Sequence, residues 1–173
     1  MISNRADAPG LESARRRGLN AVLIPSQGRV REDHDAEVIA ALRQAGVDLV
    51  CLAGYMRLLS PGFIRAFPNR ILNIHPSLLP AFPGLEAQRQ ALEHGVKMTG
   101  CTVHLVDEHL DHGPIILQKT VPVLEGDDEH SLAARILEQE HLAYTEALRL
   151  LLSGEVEVRD GKVLRKTDET EAG

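Results

Sequence analysis

Cysteine, positive charge, aromatic side chains and long apolar runs are all in short supply in this sequence. The only two cysteines, Cys51 and Cys101, each sit inside an apolar run and read as buried free thiols. A disulfide between them is disfavoured, which points to a cytoplasmic protein. No apolar run approaches the roughly 20 residues needed to cross a bilayer. The opening "MISNRADAPG" turns polar within its first residues, unlike a signal peptide. Lys and Arg number 19 against 25 Asp and Glu, a net charge of −6, which argues against a nucleic-acid surface. Only 3% of residues are aromatic; 43% are hydrophobic and 25% charged over 173 residues. That balance suits one globular domain with a single core, spanning residues 1–173.

Strands and helices alternate through the first half. "MIS" reads as the tail of a strand and "NRADAPG" as a loop, followed by a helix over Leu11–Arg17 and a short apolar run, Ala21–Ile24. "REDHDAEVIAALRQAG" spaces Val38, Leu42 and Val47 like a helix closed by Gly46. "VDLVCLAG" is a continuous apolar run, as for a parallel strand buried on both faces. "SPGFIRAF" opens with Ser60 as a helix cap and Pro61 at the first helical position. "RILNI" is another buried strand, and Glu86–His94 a helix. This order predicts an α/β fold with a mostly parallel, Rossmann-like sheet flanked by helices. The style then changes. "GCTVHLVD" and "GPIILQKTVPV" are β runs that should pair as an antiparallel C-terminal extension. "DDEHSLAARILEQEHLAYTEALRLLLSG" is the longest helix, acidic at its start and stopped by Gly154. A hairpin over about 155–165 should turn at Asp160-Gly161, before a disordered tail over about 166–173.

"NIHPSLLPAFPG", residues 73–84, carries the densest chemistry. Asn73 and His75 are two apart at the end of a buried strand, so both side chains point to one face, where ligands gather in open α/β sheets. Pro76 restricts His75 to extended geometry, and Pro80 and Pro83 stiffen the loop beyond it. Each compatible proline saves about 0.4–1 kcal/mol of ordering entropy, so the stretch suits two polar groups held in a fixed pose. The plain alternative is a proline-rich connection whose histidine merely caps a neighbour. In "HLVDEHLDHGP", His104, Asp107, Glu108, His109, Asp111 and His112 crowd into nine residues. Imidazole and carboxylate together suit zinc or iron, but the two-histidine helical spacing is missing. For His109 and His112 the preferred reading is a polar turn. A third option is that one carboxylate reaches His75, favouring the charged imidazole and fixing its tautomer.

"ILNIHPSLLPAFPG", with "VCLAGYMRLLSP" before it and "GCTVHLVDEHLDHGPIILQKTVPV" and "LAARILEQEH" after it, resembles glycinamide ribonucleotide formyltransferases from Ser3 to about Leu152. The resemblance implies a formyltransferase fold with its catalytic core over about 3–152, and a folate-dependent one-carbon transferase of purine biosynthesis. Such enzymes move a formyl group from 10-formyltetrahydrofolate, the co-substrate, to the amine of glycinamide ribonucleotide. It implies small-molecule partners, with no metal, nucleic acid or membrane. Asn73, His75 and Asp111 match the catalytic set. Folate contacts are implied for Arg31, for Met56, Arg57, Leu58 and Leu59, and for Asn73, Glu108 and Asp111, with the turn from Val106 to His112 closing over the pterin. Pro76 and Glu140 are implied for the ribonucleotide, Glu140 at the ribose hydroxyls. Thr102 and His104 fall near the site, and the family favours a cis Leu79–Pro80 bond.

The start of the family pattern is missing. Family members begin with a further strand and a glycine- and serine-rich loop, whereas Met1 here stands where the second strand is under way. Roughly thirty residues, a βα unit of the usual size, are expected to be absent, including the loop that would grip the substrate phosphate. The expectation is a late start or a fragment with impaired transfer. Three alternatives keep different parts of this pattern. A formyltetrahydrofolate hydrolase would need no phosphate site, and a metal-dependent hydrolase would use His104, Asp107, His109 and Asp111. A folate-binding remnant would bind without turnover. A methionyl-tRNA formyltransferase fits poorly with an acidic chain lacking a C-terminal RNA-binding domain.

Overall fold

The computed structural model describes residues 1–166; of the tail expected to be disordered, residues 167–173 lie outside the described residues. The chain divides into two compact units, one of Met1–Leu49 with Met56–Pro68, the other of Val50–Tyr55 with the chain from Asn69 onward. Among the described residues no helix is long and apolar enough to cross a membrane.

In the first unit, β1 (Ile2–Ser3) and β2 (Val22–Leu23) pair in parallel. Between them, α1 (Pro9–Arg16) buries Leu11 and Ala14. It starts ahead of the expected Leu11 because Pro9, read as a loop residue, is the first helical residue, where a missing N–H costs nothing. α2 (Arg31–Gln44) follows, then α3 (Pro61–Ala66), where the Ser60 hydroxyl accepts the Phe63 N–H at 3.2 Å as expected of a cap.

The apolar periodicity of α2 hides its best-buried side chains. Val38 and Leu42 are half-buried, whereas His34 and Asp35 are buried. His34 Nε2–H donates to the Ile24 carbonyl at 3.0 Å, and Asp35 Oδ2 accepts the Ser60 N–H at 2.7 Å. His34 Nδ1 and Asp35 Oδ1, 3.6 Å apart, have no hydrogen-bond partner. Asp35 thus ties α2 to the entry of α3. Asp35→Ala is expected to destabilise by about 1–3 kcal/mol, since the buried Ser60 N–H loses its acceptor; an unchanged urea midpoint would show that the bond contributes nothing.

In the second unit, β3 (Val50–Cys51), β4 (Ile71–His75), β5 (Met98–Leu105) and β6 (Ile115–Pro122) form one sheet in that order. β3 and β4 are parallel; β4–β5 and β5–β6 are antiparallel. Parallel pairing therefore gives way to the antiparallel extension expected from the change of pattern. The "VDLVCLAG" run differs from its reading: only Val50 and Cys51 are strand. Cys51 is exposed while Cys101 is buried, and both are free thiols. β3 is the end strand of its sheet, so its side chains lack cover on one flank. Burial pushes the Cys101 thiol up to about 11.

α4 (Ala87–His94) and α5 (Glu129–Ser153) supply the rest of the core. Leu72, Val103 and Leu105 from the sheet pack with Ala91, Leu132, Ile136, Ala143 and Ala147. α5 opens with a capping box between Asp128 and Ser131 and ends at Gly154, whose φ of 74° suits glycine. The Tyr144 hydroxyl stands 2.7 Å from the Leu52 carbonyl and 3.1 Å from that of Leu72. Gly100 is imposed by crowding, since a Cβ there would lie 1.9 Å from the Lys119 carbonyl oxygen. β7 (Val156–Arg159) and β8 (Lys162–Arg165) form the expected hairpin. Asp160 and Gly161 both have positive φ, as a type I′ turn requires.

Candidate active site

One face of the β4–β5 pair is polar. The register sets Asn73 opposite His104 and His75 opposite Thr102. Because side chains alternate along a strand, all four share that face, while Leu72, Ile74, Val103 and Leu105 serve the core. Three of the four, His75, Thr102 and His104, are buried.

The proline-rich stretch is pegged as well as stiff. Leu79–Pro80 is cis, as the resemblance implied. Thr102 Oγ1 donates to the Ser77 carbonyl at 2.7 Å and accepts the Leu79 N–H at 3.0 Å. Gln118 donates to both the Leu79 carbonyl and Thr102 Oγ1, each at 2.9 Å. Thr102 and Gln118 therefore hold the loop beyond His75. Gln118 carried no signal in the sequence; it acts from a neighbouring strand.

His75 stands between two acceptors. Its Nε2–H donates to the Phe82 carbonyl at 2.8 Å, and its Nδ1 lies 3.4 Å from Asp111 Oδ2. Nε2 is thereby fixed as a donor, and Nδ1 faces a carboxylate oxygen. Phe82 and Asp111 have φ of 54° and 49°, left-handed values that few non-glycine residues adopt. Both residues facing His75 are thus held in costly backbone conformations, a pattern common at functional sites. Asp111 is further secured by the Gly84 N–H, donated to Oδ2 at 2.8 Å. One carboxylate oxygen therefore faces both the end of the proline loop and the histidine.

His104 has a definable role. Its Nδ1–H donates to the Leu105 carbonyl at 3.0 Å, leaving Nε2 to accept from the Asn73 amide nitrogen at 3.3 Å. Only the NH₂ end of Asn73 can serve that acceptor, so the network fixes the amide's orientation. Burial lowers the His104 pKa, against the Leu105 carbonyl and Asp111, which raise it, while the His75 charge adds to the lowering. An unfolded histidine takes up its proton near pH 6.5; this buried ring does so only at lower pH. His104 accordingly contributes stability above about pH 6.5 that is lost as pH falls. Thermal melts are expected to decline less steeply with acidification in His104→Gln than in the parent; parallel declines would exclude His104 as the source.

Other sequence-predicted residues lie around or apart from this cluster. Glu140, half-buried on α5, has its carboxyl pKa raised by burial, opposed by the charges of His141 and His75. Pro76 is half-buried directly after His75, and Glu108 is exposed on the turn after β5. Beside Asp111 a depression is lined by Leu79, Pro80, Pro83, Leu110 and Ile115, among others. Arg31 and Met56–Leu59 belong to the first unit. The Arg31 guanidinium donates to Glu32 Oε1 at 3.1 Å. Met56 and Leu58 are exposed, Arg57 half-buried and Leu59 buried.

The four-residue metal set considered from sequence does not assemble as one site. His104 is engaged with Asn73 and Leu105, and Asp111 with Gly84 and His75. Asp107 instead gathers His109 and His112, the pair read as a plain turn. His112 Nδ1–H donates to Asp107 Oδ2 at 2.9 Å. Burial pushes the Asp107 carboxyl up, but hydrogen bonds from His112 and the His109 N–H outweigh it and leave the pKa lowered.

A carboxylate, an imidazole and an oriented amide thus converge beside a cleft, groups chemically able to move a proton and to donate to an oxyanion. The chain belongs to the formyl transferase family, whose model matches residues 1–148. It is 50% identical over 155 residues to the trifunctional purine biosynthetic protein adenosine-3 of Drosophila melanogaster, covering 89% of this chain and 12% of that protein. With the phosphoribosylglycinamide formyltransferase of Escherichia coli K12 it shares 45% identity over 161 residues, 92% of this chain and 76% of that enzyme. The crystal structure of glycinamide ribonucleotide transformylase 1 from Symbiobacterium toebii superposes with a TM-score of 0.92 at 58% identity, covering 96% of this chain and 79% of that one. A formyltetrahydrofolate deformylase from Pseudomonas syringae has a similar fold, with a TM-score of 0.88 at 34% identity over 96% of this chain and 55% of its own. The chain thus spans about an eighth of its trifunctional relative and most of the single-function ones.

Proposed function

We propose that this chain is a cytoplasmic glycinamide ribonucleotide formyltransferase of purine biosynthesis, with 10-formyltetrahydrofolate as formyl donor. The observation that carries the reading is the seating of His75 between the Phe82 carbonyl and Asp111, with Asn73 oriented beside it by His104. The acceptor amine attacks the formyl carbon, forming a new C–N bond and a tetrahedral oxyanion. Asn73 N–H and His75 Nδ1–H, the ring nitrogen not bonded to the Phe82 carbonyl, donate to that oxygen. The attacking nitrogen loses a proton and the folate nitrogen gains one as its C–N bond breaks. His75 is the acid–base group for this exchange, and Asp111 balances its charge.

Arg31, the Met56–Leu59 segment, Glu108 and Asp111 would contact the folate. Pro76 and Glu140 would contact the ribonucleotide, a partly desolvated carboxylate suiting ribose hydroxyls. No metal takes part in this scheme.

The test is a transfer assay with 10-formyltetrahydrofolate and glycinamide ribonucleotide, on the 173-residue chain and on a version extended at its N-terminus. Tetrahydrofolate release that depends on the ribonucleotide, by either protein, is the expected result. Formate released equally without the ribonucleotide would replace the transferase reading with a hydrolase, and folate binding without turnover by both proteins would overturn it.

A further inference from the structure

We propose that Asp107, His109 and His112 form a binding site for one divalent transition-metal cation of the zinc class, on the turn between β5 and β6. One ligand atom from each residue lies within 4.8 Å of the others. His112 Nδ1 is 2.9 Å from Asp107 Oδ2, and His109 Nδ1 is 3.9 Å from Asp107 Oδ1. Ligand atoms about 2.0–2.1 Å from a tetrahedral zinc lie about 3.4 Å from one another, so a set already within 4.8 Å needs only small side-chain shifts to hold an ion. The adjustment falls on side chains free to make it, since His109 and His112 are 76% and 71% exposed.

The carboxylate is the fixed member of the set. Asp107 Oδ1 accepts the His109 N–H at 2.8 Å, which closes a local turn and aims the carboxylate toward both rings. The two rings are already close, with centroids 5.2 Å apart and planes tilted by 60°. Two imidazoles with one carboxylate are a nitrogen-rich donor set that suits zinc, nickel or copper over magnesium or calcium. Three protein ligands leave the remaining position to water. The ion takes the place of the hydrogen that His112 Nδ1 now donates to Asp107, and the ring carries its hydrogen on Nε2 instead.

The site would also act on the turn. Asp111 lies between His109 and His112 in the chain, and Gly113, just beyond, is packed so closely that a Cβ would sit 1.9 Å from the Leu105 carbonyl oxygen. A cation joining Asp107 to His112 bridges the backbone on both sides of Asp111 and clamps the segment that presents it to His75. The site shares the turn expected to close over the pterin but uses none of Asn73, His75 and Asp111, and it stands whether or not the transferase reading holds.

The experiment is calorimetric titration of the untagged full chain with ZnCl₂, accompanied by thermal melts. One zinc per chain and a raised melting temperature are expected. His109→Gln and His112→Gln should each weaken zinc binding by about tenfold or more, as expected when a ligand is lost. His94→Gln and Cys51→Ser, which remove an exposed donor elsewhere, should leave the affinity unchanged, and magnesium should not bind. Circular dichroism of the variants confirms that they fold. Absence of zinc binding by the parent, or affinity retained within about twofold in the His109→Gln/His112→Gln double variant, would overturn the proposal.

Discussion

Asp111→Asn is expected to lower kcat for formyl transfer by about 10²–10⁴-fold, the span usual for general acid–base groups. The substitution keeps the shape and an oxygen that can still accept the Gly84 N–H now donated at 2.8 Å, so the melting temperature should hardly move. What disappears is the negative charge 3.4 Å from His75 Nδ1. Without it, Nδ1 loses the anionic oxygen it faces, and an amide can turn its NH₂ toward Nδ1 and make that nitrogen the acceptor. The expected signature is a lowered kcat together with an altered pH dependence, in a protein of parental stability. A pH–rate profile identical to the parent's would take Asp111 out of the proton transfer. A large fall in melting temperature would instead assign it to holding the turn.

Asn73→Ala is expected to cost about 10²–10³-fold in kcat, as does removal of a single oxyanion donor elsewhere. The amide's orientation is the reason. His104 is kept neutral by burial and presents Nε2 as an acceptor, so one Asn73 N–H points to His104 and the second remains for the developing oxyanion. The loss should fall on kcat more than on KM, because the bond strengthens as the oxygen gains charge. A rise in KM with kcat intact would recast Asn73 as a ground-state binding group. His104→Gln should reproduce part of the kcat loss by letting the amide rotate, which makes His104 a positioning residue.

Much of this architecture was written locally. The three prolines after His75, the two-residue offset of Asn73 and His75, the Ser60 cap, the Asp160-Gly161 turn and the long α5 depend on residues close in sequence. Propensity and alternation reach that far. Asn73 and His75 were legible as a pair from their spacing and the prolines, but the choice of Asp111 to join them rested on resemblance, because the contacts of the proposed set span the chain. Asp111 meets Gly84 across 27 positions and His104 meets Asn73 across 31, distances over which no periodicity carries information.

The same limit explains the departures. Cys51 sits in an apolar run that reads as buried, yet β3 is the end strand of its sheet. The apolar spacing of α2 pointed to Val38 and Leu42, yet His34 and Asp35 are the buried side chains, with the Ile24 carbonyl and the Ser60 N–H as their partners. His109 and His112 read as turn residues until the Asp107 side chain folded back on the turn and drew both rings to it. By itself the sequence determined the type and order of most segments, though not the extent of β3 or the start of α1, since those choices are settled largely by neighbouring residues. Only the tertiary structure decided which polar groups meet, because a buried hydrogen bond or ion pair exists only once strand register and loop closure have brought distant atoms within about 3 Å.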